Sequence, residues 1–391
     1  MLGPREAQTL EPRLRDALTD QLWVYRYRHP AHEWTLSIAT HAEPGSRKLS
    51  LGGFRIAPKA LTEEPGFDPD RMAIDLAMGM EEKVYWSRLI HVGGPLALRD
   101  TGRIVGGKCV FHPTGDARVG APRDREALDW AIECFKDAEQ RGGFCIVTGQ
   151  DLGHGTLSDG RTGSLDYLAA RFRGCVDADT SQPTAEGNFY VLKGMLKGFD
   201  IPLSEATVGL IGVGNIGAHL LERLLEKHAE VLAIEADAQR REGVAALGVE
   251  VDAPEAKPWF LQRRMDAVVV NANKESLDAE SVALIAENSQ VRVVCGSENL
   301  AMPDPAGADV LRAARKAYCP TELAGMMGYL TAVEEYLAQV EGVPFDMTTM
   351  FAAAKRLEEA GREGVERVVE RNWAISFEEA VREVYGGAHV R

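Results

Sequence analysis

A glycine-rich run in the second half of the chain has the pattern of a dinucleotide-binding turn. Thr207-Val-Gly-Leu-Ile reads as a buried strand, and Gly212-Val-Gly214-Asn215-Ile216-Gly217 follows it directly and opens an amphipathic helix. Glycines at this spacing let the chain turn sharply and bring backbone N–H groups close to a pyrophosphate at the helix N-terminus. The run therefore predicts a dinucleotide site at Gly212, Gly214, Asn215, Ile216 and Gly217.

An acidic residue ends the next predicted strand. Glu235 closes the strand that begins at Val231, roughly 20 residues beyond the glycines, where an acid can bind both ribose hydroxyls. Because a carboxylate there would also repel a 2′-phosphate, Glu235 favours NAD over NADP. Asp237 is the competing ribose ligand, and a solvated turn acid is the alternative interpretation of Asp237.

Three charged side chains in the first half could bind anions or transfer protons. Lys83 lies near the end of a predicted helix, Lys108 follows a double glycine, and Asp151 ends a predicted strand. Residues at the ends of elements often line clefts, although each of the three, taken singly, is also explained as a surface lysine or a turn acid.

The elements that must position these residues alternate between strands and helices, which predicts an α/β fold of two domains. Strands are expected at 34–40, 108–111, 144–148, 207–211, 231–235, 267–270, 291–295 and 317–319, and helices at 69–86, 122–141, 188–197 and 215–227. This rhythm predicts an N-terminal α/β substrate domain (1–180), a doubly wound Rossmann domain that binds NAD (181–340), and C-terminal helices (341–391) that return to the first domain.

Composition excludes several classes of protein. The 391 residues are 45% hydrophobic and 26% charged, and the formal net charge of −15 disfavours binding to nucleic acid. No apolar run is long enough to cross a membrane, and the polar N-terminus lacks the apolar core of a secretory signal. The six cysteines show no metal-ligand spacing or disulfide framework, so we expect no metal site and a reducing cytoplasm.

Four short motifs precede the Rossmann unit in a familiar order. They are Leu51-Gly52-Gly53-Phe-Arg55, Ala77-Met-Gly-Met-Glu-Glu-Lys83, Gly106-Gly107-Lys108 and Thr148-Gly-Gln-Asp151-Leu-Gly. Their combination resembles the glutamate/leucine/phenylalanine/valine dehydrogenase superfamily, most closely its leucine, phenylalanine and tryptophan dehydrogenase branch. The resemblance implies NAD-dependent interconversion of an L-amino acid with its 2-oxo acid and ammonia, by a homo-oligomer.

The same resemblance implies roles for the first-half residues. Lys83 matches the lysine that binds the substrate carboxylate, assisted by the backbone of Gly52 and Gly53. Lys108 matches the lysine that activates the water or carbonyl, and Asp151 matches the acid that shuttles protons. A lysine in a glycine-lined apolar site beside another ammonium should also have a lowered pKa, and we expect Lys83 to supply that like charge to Lys108.

Further residues of the second half are assigned by the resemblance. Asn299, in Gly296-Ser-Glu-Asn299-Leu, matches an asparagine near the nicotinamide ribose and the substrate. Thr184 matches a threonine that touches the carboxamide, but it could equally be a helix N-cap. Asn271 and Ala272 end a strand at the edge where ligands of such sheets bind.

The chain also departs from the family pattern. Lys83 and Lys108 are more widely separated than usual, so we interpret 92–103 as a loop inserted beside the substrate pocket. Asn271-Ala-Asn-Lys and Pro320-Thr-Glu-Leu-Ala-Gly-Met-Met-Gly328 replace family motifs, and the second of these helps to close the family's pocket. Two alternatives therefore stay open, an imine or oxo-acid reductase that does not use free ammonia and a non-catalytic NAD-binding protein. Glu334 and Glu335 are interpreted as part of a solvated helix face.

Overall fold

The computed structural model describes residues 5–6 and 21–386, which form two compact units. The first unit contains the described residues up to Arg88, Gly94–Thr180 and Tyr329–Asp346. The second contains Leu89–Gly93, Ser181–Gly328 and 347–386. Most of the N-terminal stretch that was interpreted as lacking a secretory signal lies outside the described residues. No helix within the described ranges is long and apolar enough to span a membrane.

The first unit is built on a mixed sheet. Its strands are β1 (Arg5–Glu6), β2 (Trp23–Arg28), β3 (Thr35–Thr40), β4 (Leu49–Leu51), β5 (Phe54–Ile56), β6 (Ile104–His112) and β7 (Cys145–Val147). The strand order is β1-β2-β3-β6-β4-β7, and β5 also pairs with β6. The β1, β2, β3 and β6 pairings are antiparallel, whereas β4 and β5 run parallel to β6 and β7 runs parallel to β4.

Helices cover this sheet and bury its aromatic residues. They are α1 (Lys59–Thr62), α2 (Pro69–Ile90), α3 (Pro95–Arg99), α4 (Asp124–Gly142) and α5 (Ser164–Ala169). The amphipathic α4 begins with acidic residues in its first turn and ends at Gly142. It is followed by Gly143, whose φ of 62° suits a left-handed C-cap. Its buried Phe135 packs edge-on against Phe54 of β5, so α4 and β5 share one core.

The second unit contains a parallel sheet of Rossmann type. Its strands are β8 (Thr207–Ile211), β9 (Glu230–Ile234), β10 (Glu250–Asp252), β11 (Ala267–Val270), β12 (Val293–Gly296) and β13 (Ala317–Tyr318). The order β10-β9-β8-β11-β12-β13 is the doubly wound 3-2-1-4-5-6 order, and it reverses direction between β8 and β11. The predicted α/β class with a Rossmann sheet is confirmed, and β8 and β11 have the predicted bounds.

The remaining helices follow in chain order. They are α6 (Ser181–Gly198), α7 (Asn215–Glu226), α8 (Ala238–Ala246), α9 (Lys257–Phe260), α10 (Ala279–Glu287), α11 (Ala306–Ala313), α12 (Thr321–Ala324), α13 (Met326–Glu341), α14 (Met347–Ala354), α15 (Arg356–Glu370) and α16 (Phe377–Gly386). Most of α13 belongs to the first unit, whereas α14 to α16 belong to the second.

The placement of the C-terminal helices differs from the expectation that 341–391 packs on the first domain. Within the described residues the chain returns to the first unit only as Tyr329–Asp346, and α15 then packs along α6 in the second unit. Glycines allow this close helix contact, because a Cβ on Gly194 would lie 2.0 Å from the carbonyl oxygen of Glu358. The amphipathic pattern of α15 showed that it needs a partner, but it did not show which one.

Candidate active site

A buried charge cluster forms in the first unit, where three separate chain segments meet. Lys108, in the middle of β6, forms an ion pair with Oδ2 of Asp151, which lies in the loop after β7. Arg55, on β5, donates to the same carboxylate from Nη2 to Oδ1 at 3.1 Å and from Nε to Oδ2 at 3.3 Å. The side chains of Lys108, Arg55 and Asp151 are only 3%, 8% and 11% exposed. The buried Asp151 carboxylate is therefore paired with two cationic side chains.

Glycines bring the backbone up to this cluster. A Cβ on Gly53 would lie 3.1 Å from Cβ of Asp151 and 3.3 Å from Nζ of Lys108, and one on Gly52 would lie 1.7 Å from the carbonyl oxygen of Gly107. Any larger residue at Gly52 would collide with the strand that carries Lys108. Gly53 thus lies beside Lys108 and Asp151, and Gly52 lies against the strand that carries Lys108.

Lys83 is buried on α2, the helix whose Met80 approaches the same backbone segment. Its helix continues to Ile90, so Lys83 lies inside the helix and not near its end as predicted. Met80, one helical turn earlier, would lie 3.2 Å from a Cβ on Gly52. Lys83 is 6% exposed, which argues against the interpretation of a surface lysine.

The glycine-rich stretch before Lys108 is strand and not loop. β6 begins at Ile104 and includes Gly106 and Gly107. A Cβ on Gly106 would lie 2.3 Å from the backbone nitrogen of Glu81, and one on Gly107 would lie 2.2 Å from Oγ of Ser50. The glycines therefore serve close packing of α2 and β4 against β6, a use that the sequence pattern alone could not distinguish from a flexible loop.

The cluster shifts the pKa values of both of its titratable members. Burial lowers the pKa of the Lys108 ammonium, the nearby charge of Arg55 adds to that effect, and Asp151 opposes it. Burial alone would raise the pKa of Asp151, but the charges of Arg55 and Lys108 together hold it well below its usual value. The like charge identified beside Lys108 is therefore Arg55, a residue to which the sequence interpretation gave no role.

His154 fixes the loop that carries Asp151. Its Nε2 lies 2.7 Å from the carbonyl oxygen of Phe54, and its Nδ1 lies 2.9 Å from Oγ of Ser164. Burial lowers the pKa of His154, which favours a neutral ring that donates from Nε2 to Phe54 and accepts at Nδ1 from Ser164. These contacts assign His154 to holding the loop against β5.

The glycine turn of the second unit has the geometry that a pyrophosphate site needs. Gly212 has a φ of +89°, and a Cβ there would lie 2.7 Å from the backbone nitrogen of Ala272. A Cβ on Gly217 would lie 2.1 Å from the carbonyl oxygen of Gly212, so the helix packs directly on the turn. Gly214 precedes the first turn of α7, where the N–H groups of Asn215, Ile216 and Gly217 have no intrahelical acceptor.

Glu235 points back toward this turn. Its Oε2 accepts from the backbone N–H of Val213 at 2.7 Å, its Oε1 accepts from that of Asp237 at 2.8 Å, and Glu235 is 5% exposed. Asp237 is exposed, and its side chain caps α8 by accepting from the backbone N–H of Arg240. The competing ribose ligand is thus engaged as a helix cap, whereas Glu235 is positioned beside the glycines.

Asn271 and Glu298 organise the end of β11. Oδ1 of Asn271 accepts from the backbone N–H of Ser297 at 3.0 Å and from Oγ of Ser297 at 2.6 Å. Its Nδ2 is buried and has no hydrogen-bond partner among the described residues. Glu298 accepts from the backbone N–H groups of Ala272 and Ser276 and from Oγ of Ser276. Sequence reasoning missed Glu298, although an acid directly after a buried strand was the available signal.

Two assigned residues occupy neighbouring elements of the second unit. Thr184 is buried and is the fourth residue of α6, so the N-cap alternative is wrong, because the helix begins at Ser181 and not near 188 as predicted. Its carbonyl oxygen accepts from Nδ2 of Asn188 at 3.0 Å. Asn299 is half-buried and follows β12 by three residues.

The interpretation of Glu334 and Glu335 as solvated is wrong. Glu334 is 5% exposed and accepts from the backbone N–H groups of Leu96 and Ala97 at 2.9 Å, which caps α3. The segment 92–103, interpreted as a loop, is therefore largely helical. The carboxylate of Glu335 accepts in the same way from the N–H groups of Asp177 and Ala178. Both glutamates are therefore anchors of the first unit, a role that needs tertiary partners distant in sequence.

The expectation of no metal site and no disulfide framework concerns the acidic, histidine and cysteine side chains in the described parts of the chain. No group of three or more His, Cys, Asp and Glu side chains there is arranged to hold a metal ion. All six cysteines are free thiols, and five of them are buried.

Comparison with known proteins finds similar amino acid dehydrogenases. No family model matches the chain. Valine dehydrogenase from Streptomyces virginiae is 23% identical over 314 residues, which cover 76% of this chain and 75% of the relative. L-tryptophan dehydrogenase from Nostoc punctiforme superposes with a TM-score of 0.63 at 18% identity, over 96% of each chain. A hetero-hexameric glutamate dehydrogenase from Thermus thermophilus gives a TM-score of 0.64 at 13% identity, over 92% of this chain and 85% of its own.

The chain therefore has the two-unit fold of the amino acid dehydrogenases. Its sequence is similar to a valine dehydrogenase, and tryptophan and glutamate dehydrogenases share its fold, which agrees with the resemblance to the glutamate/leucine/phenylalanine/valine dehydrogenase superfamily. That prediction is confirmed.

Proposed function

We propose that the protein is an NAD-dependent dehydrogenase that oxidises an L-amino acid to its 2-oxo acid and ammonia, and that runs the reverse reductive amination. The observation that carries this proposal is the buried Lys108–Asp151 pair beside Gly53. A buried lysine with a lowered pKa is suited to proton transfer near neutrality, and the fold relatives are named for oxidation of amino acids.

The substrate carboxylate would bind to the Lys83 ammonium and to the backbone of Gly52 and Gly53. Lys83 is buried one turn beyond Met80, the α2 residue near Gly52, which supports a position of its charge beside that backbone. An anchored carboxylate would leave the amino group facing the proton-transfer residues. Holding the reacting atoms in this way removes entropy before the chemical step.

The substrate ammonium first gives one proton to water, and Cα then loses a hydride, which leaves an iminium. The NAD that the glycine turn would hold would supply the hydride acceptor. A water molecule adds to Cα while Lys108, as the neutral amine, takes the proton of the water, which gives a carbinolamine. Return of the proton from Lys108 to the nitrogen, followed by transfer of the hydroxyl proton to the departing ammonia, releases ammonium and forms the carbonyl group of the 2-oxo acid. Overall, the amino acid, NAD⁺ and water yield the 2-oxo acid, ammonium, NADH and one proton.

Asp151 serves Lys108 in this scheme. With two cations on its carboxylate and a strongly lowered pKa, Asp151 stays ionised in the resting protein and fixes the direction of the Lys108 side chain. The predicted proton-shuttle role of Asp151 remains a proposal. Asp151 would take up and release protons once the substrate displaces Lys108 or Arg55 from its carboxylate.

The described residues of the second unit fit a nicotinamide dinucleotide. The glycine turn and the free N–H groups at the start of α7 suit the pyrophosphate, and the buried Nδ2 of Asn271 offers a donor without an acceptor. Thr184 and Asn299 are proposed to contact the nicotinamide end. Glu235, with its carboxylate beside Val213, supports NAD rather than NADP.

A reductase that does not use free ammonia is the second candidate. The altered segment Pro320–Gly328 favours it, since Thr321 and Glu322 are buried where the family places a pocket-closing motif. The oxidation and reduction of nicotinamide would be common to both candidates. Ammonia, as substrate or product, is the difference between them.

One experiment separates these proposals. NADH absorbance is followed with a panel of amino acids and NAD, and then with 2-oxo acids and NADH, with and without ammonium. Turnover that depends on ammonium supports the dehydrogenase, and oxidation of NADH without ammonium supports the reductase. Silence across the panel together with measurable NAD binding would contradict both and would indicate a non-catalytic NAD-binding protein.

Assembly and location complete the proposal. We propose a cytoplasmic homo-oligomer, supported by the free cysteines and by a structural neighbour described as hetero-hexameric. Light scattering coupled to size-exclusion chromatography would test the assembly, and a monomeric mass would contradict it.

A further inference from the structure

Arg55 makes two hydrogen bonds to Asp151, although the proposed reaction gives Arg55 no role. Its guanidinium approaches the carboxylate edge with two donors, Nη2 to Oδ1 at 3.1 Å and Nε to Oδ2 at 3.3 Å. Lys108 pairs with Oδ2 of the same group. An arginine pair of this bidentate kind restricts the carboxylate plane as well as its position.

The backbone around Arg55 holds this contact in place. On either side of it, the N–H of Phe54 donates to the carbonyl oxygen of Gly149 at 3.2 Å, and the N–H of Ile56 donates to that of Leu152 at 3.0 Å. His154 adds its bond to the carbonyl oxygen of Phe54. The loop that carries Asp151 is thus bonded along β5, and the Arg55 side chain lies between those bonds.

The charge count of the cluster explains why a second cation matters. A lysine and an aspartate alone would form a neutral buried pair, and releasing the lysine proton would leave an uncompensated buried carboxylate. With Arg55 present, the same deprotonation leaves a neutral arginine–aspartate pair. Since uncompensated buried charge is costly, Arg55 makes loss of the Lys108 proton easier.

We propose that Arg55 is a positioning residue that fixes Asp151 and replaces Lys108 as its counter-ion, so that Lys108 can work as a neutral amine. The catalytic meaning of this inference rests on the proposed function, whereas the proton affinity of Lys108 can be measured without it. Arg55 itself need not touch the substrate.

The titratable groups around Lys108 come from several elements. Asp151 and His154 lie in the loop after β7, Arg55 on β5 and Cys109 on β6 itself. Burial raises the pKa of Cys109 to about 12 and lowers that of His154, so both are neutral in the working range. Lys83, on α2, is retained in every variant described below, so it does not contribute to differences in the Lys108 pKa between them.

The test uses two substitutions that separate charge from geometry. In Arg55→Met the Lys108 pKa should rise, and the ascending limb of the kcat/KM profile should move to higher pH by about 1–3 units. In Arg55→Lys the charge remains, so the limb should stay near its original pH while kcat falls, because one ammonium cannot make the bidentate contact. Arg118→Met is the matched control, since Arg118 is a half-buried arginine of the same unit bonded to Ala57 and Thr62.

A direct titration keeps this inference separate from the proposed function. NMR of the full chain labelled with ¹³Cε-lysine gives the Lys108 pKa without substrate, the signal being assigned by its loss in Lys108→Arg. A raised pKa in Arg55→Met and not in Arg118→Met supports the inference, even where no amino acid is turned over. An unchanged Lys108 pKa in a folded Arg55→Met protein would overturn it, as would a limb in Arg55→Lys displaced as far as in Arg55→Met.

Discussion

The candidate site of the first unit and that of the second are built by different means. Lys108, Asp151 and Arg55 come from three segments and meet through side-chain charge. The glycine turn uses backbone N–H groups and the absence of side chains within one short strand–turn–helix segment. The activity of a site built from charged side chains should change with pH and with single neutral substitutions. Ligand binding at a site built from backbone N–H groups should change when a larger residue replaces a glycine or when one of its few side-chain contacts is altered.

The largest expected effect separates the two sites directly. Lys108→Ala removes the proton-transfer group, so kcat should fall by roughly 10²–10⁴-fold or more while the Kd for NAD stays the same. Steady-state kinetics and calorimetric NAD titration measure the two quantities. Lys136→Ala, an exposed lysine on α4, is the control. Retained turnover would refute the catalytic role of Lys108.

The second effect concerns stability and pH. Asp151→Asn leaves two buried cations without their anion, which should cost about 3–5 kcal/mol at neutral pH. Because the folded pKa of Asp151 lies below its unfolded value of about 3.9, this stabilisation is complete above that pH and is lost as the pH falls below it.

Urea unfolding at several pH values checks this expectation, with Asp100→Asn as the control at an exposed carboxylate of the same unit. The gap between wild type and Asp151→Asn should narrow in acid, whereas the control should show little difference. A gap that stays constant down to the lowest pH would contradict the ion-pair assignment.

A smaller effect is expected in the second unit at Asn271. Asn271→Asp keeps an acceptor for Ser297 but replaces the buried donor Nδ2, so NAD affinity should fall by roughly 10-fold or more. Asn273→Asp adds the same charge at a neighbouring exposed position and serves as the control. Equal Kd values for NAD in both variants would remove Asn271 from the cofactor site.

The smallest effect is a change of preference. Glu235→Ser removes the carboxylate that would repel a 2′-phosphate, so the ratio of NADP to NAD efficiency should rise by about 10-fold. Asp237→Ser, which keeps a helix-capping oxygen, should leave that ratio alone. An unchanged ratio in Glu235→Ser would place the adenosine ribose elsewhere.

The same contrast explains how much the sequence could reveal. The strand, glycines and acid from Thr207 to Glu235 are contiguous, so local pattern rules were enough to predict the turn and the direction of its helix. Lys108 and Asp151 needed the family resemblance, because each residue alone looks like a surface group. Arg55 belongs to the Leu51–Arg55 motif, yet nothing in the adjacent sequence indicates that its side chain lies against Asp151.

The missed carboxylates follow the same rule. Glu298, Glu334 and Glu335 each accept from backbone N–H groups of other segments, which composition and periodicity do not reveal. A buried acid satisfied by backbone donors looks, in sequence, like any charged residue on a helix or loop. Only the folded chain shows which of them are internal.

The return of Tyr329–Asp346 to the first unit has a consequence for synthesis. Glu334 and Glu335 bond N–H groups near Leu96 and Asp177, so a fragment that stops at Thr180 lacks those acceptors. The ribosome must translate the whole Rossmann sheet before α13 becomes available to pack on the first unit. The first unit therefore cannot complete its folding before the Rossmann sheet has been synthesised. A recombinant fragment of the N-terminal half would lack one of the helices of the first unit.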